Sequence, residues 1–302
     1  MCGNGNPPGT SSFAKLAAVL LLLSGISTAA APGARHYSIY PDSPDVFLEA
    51  LERNPCSGGL PGLPRLTGGI TTHHFLANRQ MVEYFETISA SGLPDLIILL
   101  GPDHFVKHSG VVSISRLPWF TPLGVVEPDP DAAGRIERGA GLNASDESRF
   151  FGEHSMGALM PMVRAFIPGV RVVPIIIGWG VPQWKLDKLA GAIRGEIERG
   201  KVHVLLSMDF SHGKPHKKAV ANDLKTKAAI MAGNAGAVPG LEVDSPGGLY
   251  LLMKLFSLEE PIFGSRTDSA ELSGKDLSSC TSYMNVYYRM RIGRAESLSG
   301  RD

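Results

Sequence analysis

The 302-residue sequence has few cysteines and no net charge, and each shortage excludes a class of protein. Its three cysteines (Cys2, Cys56 and Cys280) are too few for a disulfide-built scaffold, and they form no CxxC pattern of a structural zinc site. The 29 lysines and arginines are balanced by 29 aspartates and glutamates. We therefore expect no nucleic-acid partner, because binding a polyanion requires an excess of basic groups.

Three common catalytic signatures are also missing. The sequence contains no GxSxG nucleophile elbow, no GxxxxGK[ST] phosphate-binding loop and no HExxH zinc helix. Its composition is nevertheless that of a folded chain, since 43% of the residues are hydrophobic and 19% are charged. Enough apolar side chains are present to bury a large core, which favours a globular enzyme or metal-binding protein over a disordered chain.

The N-terminal segment differs from the rest of the chain. Residues 13–26 are apolar apart from one lysine, one serine and one glycine, and small residues follow up to Pro32. A basic residue, an apolar run and a stretch of small residues are typical of a cleaved secretory signal peptide. A retained membrane anchor is the alternative, because the small residues bring the stretch to roughly the 20 residues that span a bilayer. We predict an exported or membrane-anchored protein that faces outside the cytoplasm and meets the membrane only through residues 1–31.

The remaining sequence predicts one domain with an extension at each end. We expect an irregular segment over 32–65, a single α/β domain over 66–292 and a disordered tail over 293–302. An oxidising compartment would permit a disulfide between Cys56 and Cys280, but one sequence does not show whether the two are close.

Apolar runs alternate with amphipathic segments through the body of the chain. We predict strands at 66–72, 95–100, 170–177, 202–206 and 281–288, and helices at 44–53, 76–91, 154–166, 185–199, 217–231 and 246–256. The uninterrupted apolar run at 95–100 is typical of a strand buried on both faces of a parallel sheet. The alternation predicts a three-layer α/β sandwich with a central, largely parallel or mixed sheet.

Three of the predicted strands end in loops that carry histidine. The loops are Thr72-His73-His74, Asp103-His104 and Asp209-Phe210-Ser211-His212. In α/β folds, ligands bind in the crevice at the carboxyl ends of the strands, where these loops would meet. The nine histidines of the chain would otherwise be scattered over helices and surfaces, so this placement favours a shared functional site.

Imidazoles at strand ends, completed by a carboxylate, are good ligands for zinc, iron or copper. We predict His73 and His104 as metal ligands. His74 is not expected to join them, because successive residues that leave a strand point in opposite directions. The third ligand is Glu242 or Asp244, and Glu242 is preferred because Asp244 is suited to be the N-cap of the next helix.

Five further residues receive candidate roles. His212 follows a separate strand and is better placed as a general acid or base than as a ligand. Asp103 and Asp209 either orient a histidine ring or cap a loop. Glu153 and His154 precede an apolar helix, where capping is the ordinary role and a substrate-facing or ligand-orienting role is the alternative. Our candidate catalytic residues are His212, Asp209 and His154.

The same motifs, taken in order, resemble a known family. They are GITTH (69–73), LLGPDH (99–104), FTPLG (120–124), EHSM (153–156), VPIIIG (173–178) and SMDFSH (207–212). Their order and number are similar to those of the Memo family, and specifically of the AmmeMemoRadiSam system protein B group. The resemblance runs from about residue 68 to 288.

This resemblance implies the fold of the class III extradiol ring-cleaving dioxygenases, a single α/β domain that binds non-haem iron through two histidines and a glutamate. By motif, His73 and His104 match the histidine ligands, and His212 matches the catalytic histidine. Memo proteins often have a cysteine at the third ligand position, where this sequence has Glu242 or Asp244. An oxygen ligand there favours a divalent metal such as Fe(II), with copper or zinc as alternatives.

We therefore expect a Memo-like, metal-dependent oxidoreductase of the extradiol-dioxygenase type that acts on an unidentified small molecule. The alternative is an exported metal-binding or redox-accessory protein without ring-cleaving activity. The export signal favours that alternative, since ring cleavage normally takes place in the cytosol. A radical SAM system partner is implied by the family resemblance alone.

Overall fold

The computed structural model describes residues 34–38, 44–53, 63, 65–106, 109–143, 146–274 and 277–289. The predicted signal or anchor segment at 1–31 and the predicted tail at 293–302 lie outside these residues, as does Cys56. Within the described part of the chain, no helix is both long enough and apolar enough to cross a membrane.

A seven-stranded mixed sheet lies at the centre of the domain. The described residues form ten strands: β1 (His36–Tyr37), β2 (Leu66–Thr71), β3 (Leu96–Pro102), β4 (Val112–Ile114), β5 (Trp119–Thr121), β6 (Gly124–Val126), β7 (Arg171–Ile177), β8 (Val202–Ser207), β9 (Pro261–Asp268) and β10 (Ser282–Arg289). The central sheet has the order β4-β7-β3-β8-β2-β10-β9, and β1, β5 and β6 form a separate small sheet. Strands β7, β3, β8 and β2 run parallel. At the edges, β4 pairs antiparallel with β7, β10 pairs antiparallel with β2, and β9 pairs antiparallel with β10. The predicted mixed central sheet is confirmed.

Helices cover both faces of this sheet. The α-helices of the described residues are α1 (Pro44–Arg53), α2 (Asn78–Ser91), α3 (Pro130–Ala140), α4 (His154–Gly157), α5 (Met160–Phe166), α6 (Gln183–Arg199), α7 (His216–Met231), α8 (Pro246–Leu255) and α9 (Ser269–Ser273). In β3, Ile98 and Leu100 pack in the core that contains α3, α6 and α8, whereas Ile97 and Leu99 pack in the core that contains α2 and α5. Side chains alternate along a strand, so a strand covered on both faces must be apolar throughout. The predicted three-layer sandwich is confirmed.

The structure interrupts the single helix predicted over 154–166. Helix α4 ends at Gly157, and α5 begins at Met160 with Pro161 in its first turn. A proline ring clashes with the carbonyl group four residues before it, and here that residue is Gly157. The break places His154 on a short helix of its own, at the edge of the candidate site.

Several elements were not predicted, although one of them carries clear signals. Helix α3 begins after Asp129, whose carboxylate accepts a hydrogen bond from the Ala132 N–H, and Pro130 occupies its first position. It ends at Gly141, which has φ +63°. An acidic N-cap, an initial proline and a left-handed C-terminal glycine are standard helix boundaries.

Candidate metal centre

The loops that follow β2, β3 and β8 meet at one edge of the sheet. These three strands are parallel neighbours, with Thr71 paired with Ser207 and Leu100 paired with Leu206. Their carboxyl ends therefore lie side by side, as expected for the binding crevice of an α/β fold. The structure brings the three histidine-bearing loops together at this point.

His73 is buried with one ring nitrogen facing into the site. Its Nδ1 lies 3.1 Å from the Ser207 hydroxyl, which itself donates a hydrogen bond to the Ser155 carbonyl. The serine proton is thus engaged elsewhere, so Nδ1 donates to Ser207 and Nε2 keeps its lone pair. Burial lowers the pKa of His73 to about 3, which keeps the ring neutral as a metal ligand must be.

His104 is oriented by Glu153. The Glu153 carboxylate lies 2.8 Å from His104 Nδ1 and accepts the His104 backbone N–H at 3.0 Å. Burial would raise the pKa of Glu153, but its hydrogen bonds with His104 and the His104 charge lower the pKa to about 2. Glu153 also accepts the Ser155 N–H at the start of α4, so the capping and orienting roles are both present.

Two aspartates complete the inner part of the site. The Thr72 hydroxyl donates to Asp209 Oδ1, and the Asp209 backbone N–H donates to Asp244 Oδ1 at 3.0 Å. The second oxygen of each carboxylate faces His73: Asp244 Oδ2 lies 3.4 Å and Asp209 Oδ2 lies 3.7 Å from its Nε2. Burial raises the pKa of Asp244 to about 6, an effect that the nearby His104 ring opposes and the Asp209 charge reinforces.

The preference for Glu242 as third ligand is not supported by the geometry. Glu242 Oε1 lies 3.0 Å from Lys214 Nζ, and its side chain is 41% exposed. Asp244 is instead buried, and its Oδ2 lies 3.9 Å from His104 Nε2. The N-cap of α8 is Ser245, so the capping role expected for Asp244 does not occupy its carboxylate. The geometry therefore favours Asp244 over Glu242 as the candidate third ligand.

The two predicted catalytic histidines lie on different sides of this set. His212 Nδ1 lies 3.3 Å from the Phe210 carbonyl, to which only an N–H can donate, and its Nε2 lies 3.6 Å from Asp209 Oδ2. His154 stacks on His104, with ring centroids 4.0 Å apart and an interplanar angle of 27°. Both rings are partly exposed, in contrast to His73.

Asp103 does not orient a histidine ring. Its Oδ1 accepts the backbone N–H groups of Phe105 and Val106, and its Oδ2 accepts a hydrogen bond from Arg149 at 2.6 Å. The loop-capping alternative is the one that the structure shows for this residue. Its contact with Arg149 fixes the loop that carries His104.

Sequence reasoning missed one polar contact of the site altogether. The Tyr283 hydroxyl in β10 lies 2.9 Å from His74 Nδ1. The two residues are 209 positions apart, and the alternating pattern of β10 identifies Tyr283 only as a buried side chain. No local signal links it to the histidine loop.

A cavity of about 460 Å³ lies against the histidines. Its lining includes His73, His74 and His154 together with Phe75, Leu76 and Phe105. Leu76 and Phe105 are largely exposed, which places them at the rim. The volume suits a small molecule, and the mixture of apolar walls and a few polar groups is typical of ligand sites.

The residues present fit a divalent metal. The ligand atoms of His73, His104 and His154 lie within 4.8 Å of one another, and so do those of His73, Asp209 and Asp244. Among the described residues, His73 Nε2, Asp209 Oδ2 and Asp244 Oδ2 are buried without a hydrogen-bond partner. Two imidazoles and a carboxylate also form the donor set preferred by non-haem Fe(II), and one that zinc accepts.

Comparisons with known proteins agree with the fold and the motifs. The model of the Memo-like protein family matches residues 74–241, which is more than half of the chain. A MEMO1 family protein of Pyrobaculum arsenaticum is 32% identical over 160 residues, covering 52% of this chain and 57% of that protein. A MEMO1 family protein of Sulfurisphaera tokodaii is 28% identical over 214 residues, covering 67% of this chain and 74% of that protein.

The coverage of these relatives varies. Three MEMO1 family proteins, including that of Pyrobaculum arsenaticum, are matched over about half of their own length (57%, 49% and 54%). The crystal structure of the uncharacterized protein JW3007 from Escherichia coli K12 is similar with a TM-score of 0.50 and 15% identity, covering 74% of this chain and 99% of that one. At that identity the likeness shows the fold alone. The family match, which spans more than half of the sequence, shows that the chain belongs to the Memo-like protein family.

Proposed function

We propose that this chain is a metal-dependent oxidoreductase of the extradiol-dioxygenase type, with a divalent metal, Fe(II) favoured, held by His73, His104 and Asp244. The observation that carries the proposal is the group of three buried atoms, His73 Nε2, Asp209 Oδ2 and Asp244 Oδ2, that have no hydrogen-bond partner among the described residues. Each buried unpaired polar atom costs about 1–3 kcal/mol. A cation bound by His73 Nε2 and Asp244 Oδ2 would remove that cost for both atoms, and its charge would stabilise the Asp209 carboxylate beside them.

The surrounding residues would hold both rings with Nδ1 engaged. Although burial lowers the pKa of His104, the Asp244 and Glu153 carboxylates raise it to about 10, so a metal would bind His104 in place of the Nε2 proton. Ser207 engages Nδ1 of His73, and Glu153 engages Nδ1 of His104. In both rings, Nε2 is the nitrogen that remains to face Asp244. Ligating histidines commonly have their second nitrogen fixed in this way by a polar group outside the ligand set.

When bound, the metal would supply Lewis-acid and redox chemistry at the positions that its three protein ligands leave free. His212 is placed to move a proton at Nε2, because its Nδ1–H is engaged by the Phe210 carbonyl. Asp209 Oδ2, 3.6 Å from that Nε2, would stabilise the positive charge that His212 then carries. His154 supplies a flat wall of the cavity through its stacking on His104.

The test is metal analysis of the anaerobically purified chain beside four variants. We expect about one iron per chain in the wild type and none in His73→Ala or Asp244→Asn. Glu242→Gln is the matched control, because its carboxylate faces Lys214 at the surface and its loss should leave the metal in place. His212→Ala should keep the metal and lose oxygen consumption with a panel of catechols.

Two results would count against the proposal. Metal retained by both His73→Ala and Asp244→Asn would show that these residues are not ligands. Stoichiometric copper or zinc with no turnover of any catechol would instead support the metal-binding or redox-accessory alternative.

A further inference from the structure

His74 lies in the cavity, but the proposed function gives it no role. Its ring lines the cavity, and its side chain is 43% exposed. Only one of its nitrogens is held by the protein: Nδ1 lies 2.9 Å from the Tyr283 hydroxyl. Among the described residues, no group is hydrogen-bonded to Nε2. The question is therefore whether Nε2 presents a proton or a lone pair to the cavity.

The proton of the Tyr283 hydroxyl answers this question, because a buried O–H needs an acceptor. Tyr283 is buried, and among the described residues the geometry gives its hydroxyl one hydrogen-bond partner, His74 Nδ1 at 2.9 Å. Burial raises the pKa of Tyr283, so the phenol remains protonated. The hydroxyl therefore donates to His74 Nδ1.

The direction of this hydrogen bond assigns the tautomer of His74. If Nδ1 accepts from Tyr283, the proton of the neutral imidazole resides on Nε2. The competing acceptor for an Nδ1 proton is Asp209 Oδ2, which lies farther away at 3.3 Å and forms no hydrogen bond. Tyr283 therefore selects the form of His74 whose N–H is directed to the accessible side of the ring.

The remaining cavity wall is apolar beside this donor. Phe75, Leu76 and Phe105 provide two aromatic rings and a branched aliphatic chain. A single placed donor among apolar side chains orients a ligand and distinguishes it from an analogue that lacks the matching acceptor.

We propose that His74, set by Tyr283, is a specificity-determining residue whose Nε2–H binds an acceptor oxygen on an aromatic substrate packed against Phe75, Leu76 and Phe105. The substrate would then carry one more oxygen than those that bind the metal, such as the oxygen of a carbonyl group attached to the aromatic ring. This inference rests on the proposed function, because it assumes that one end of the substrate binds the metal. The role of His74 itself depends only on the contacts of its own ring.

The test compares two catechols of nearly equal shape, 4-acetylcatechol and 4-isopropylcatechol. Their dissociation constants are measured anaerobically by calorimetry on wild type and variants, with metal content determined in the same samples. His74→Phe keeps an aromatic ring but removes the donor, and should reduce the preference for the acetyl compound about tenfold. Comparing this ratio of dissociation constants between wild type and variant cancels the electronic difference between the probes.

Two further variants separate the hydrogen bond from packing. Leu76→Ala alters the same wall without a donor and should weaken both probes by the same factor. Tyr283→Phe should lower the acetyl preference as His74→Phe does, because Nδ1 can then donate to Asp209 and leave Nε2 as an acceptor. Nitrogen-15 NMR of the wild type should show His74 protonated at Nε2, and Tyr283→Phe should shift that proton to Nδ1.

The outcomes distinguish the two proposals. An unchanged probe ratio in His74→Phe, or no binding of either probe to the wild type, would overturn the role of His74. Wild-type protein without metal would overturn the proposed function, while the probe ratio would still decide the role of His74.

Discussion

Two clusters of this chain have similar residues but opposite hydrogen-bonding states. The first is the candidate metal centre with His73, Asp209 and Asp244, and the second contains His216, Asp268 and Cys280. Each set of ligand atoms lies within 4.8 Å, so composition and spacing alone would make both clusters metal sites.

In the second cluster the polar atoms have partners. Asp268 Oδ2 is 2.7 Å from both His216 Nδ1 and Arg266, and Oδ1 accepts the Glu271 N–H at the start of α9. The Cys280 thiol donates to the Lys214 carbonyl. A cation there would have to displace hydrogen bonds and approach the Arg266 guanidinium. Unpaired buried atoms therefore distinguish the two clusters where residue type does not.

Cys280 also bears on the disulfide that the sequence leaves open. Its side chain is buried against Ala219 and Ala270 and donates to the Lys214 carbonyl. Cys56, the other member of that pair, lies outside the described residues.

Among the changes that test this comparison of the two clusters, Asp268→Ala is expected to have the largest effect. The change removes the N-cap of α9 and one of the carboxylates that pair with Arg266, while Asp223 still pairs with Arg266 at 3.0 Å. The lost charged hydrogen bond and the lost cap should together cost about 2–4 kcal/mol of unfolding free energy. Metal content should stay at the wild-type level, because the Asp268 carboxylate is already engaged by His216 and Arg266. Urea unfolding and metal analysis check both parts. Loss of metal without loss of stability would reverse the assignment of the two clusters.

A smaller loss of stability is expected when the pH falls, because one buried histidine has both ring nitrogens engaged. His203 Nδ1 donates to the Leu66 carbonyl and its Nε2 faces the Tyr84 hydroxyl at 2.8 Å. Burial lowers the pKa of His203 to about 4, although the bond to Leu66 opposes the shift. The unfolded chain, with an ordinary pKa near 6.5, takes up this proton first as the pH falls. Stability from this group is complete above about pH 6.5 and is lost towards pH 4.

The measurement is urea unfolding of wild type and His203→Gln at pH 7 and 4.5. A glutamine can donate to Leu66 and accept from Tyr84 but does not titrate. Between the two pH values the wild type should lose about 2 kcal/mol more than the variant. Equal losses would show that burial of this engaged ring does not contribute to acid sensitivity.

The smallest effect is expected from Asp244→Asn in metal-free protein. Asp209 and Asp244 place two carboxylate oxygens close to the same imidazole nitrogen, so removing one charge should raise the unfolding free energy by about 1 kcal/mol. With metal added, the order should reverse, because the wild type gains about 2.7 kcal/mol at a metal concentration of 100 Kd and the variant gains nothing. Thermal unfolding with and without metal checks both halves. A variant that is destabilised without metal would mean that the two carboxylates stabilise the fold on their own.

Local patterns predicted the parts of the fold that depend on few residues. The apolar run of β3 is long enough to indicate a strand covered on both faces, and the structure confirms it. The break after Gly157 and helix α3 were not predicted. Pro161 marks the break, and Asp129 and Gly141 mark the ends of α3, but single boundary residues are a weaker signal than a hydrophobic period.

Local sequence likewise predicted some residues of the candidate site and left others undecided. His73, His104 and His212 follow three strands directly, so a prediction of parallel strands was enough to place them at one edge of the sheet. Asp244 replaced Glu242 because the segment before α8 buries one carboxylate and pairs the other with Lys214. Nothing in the spacing of these two residues indicates which one faces the histidines.

By itself, the sequence determined which chemistry the chain can offer: imidazoles and carboxylates at strand ends, in an order similar to one family. Only the tertiary structure decided which of these groups are engaged and which are left unpaired. Glu153 reaches His104 across 49 positions, and Tyr283 reaches His74 across 209. The physical reason is that strand formation depends on local side-chain pattern, whereas burial and hydrogen-bond pairing depend on which distant segments the packed sheet brings into contact.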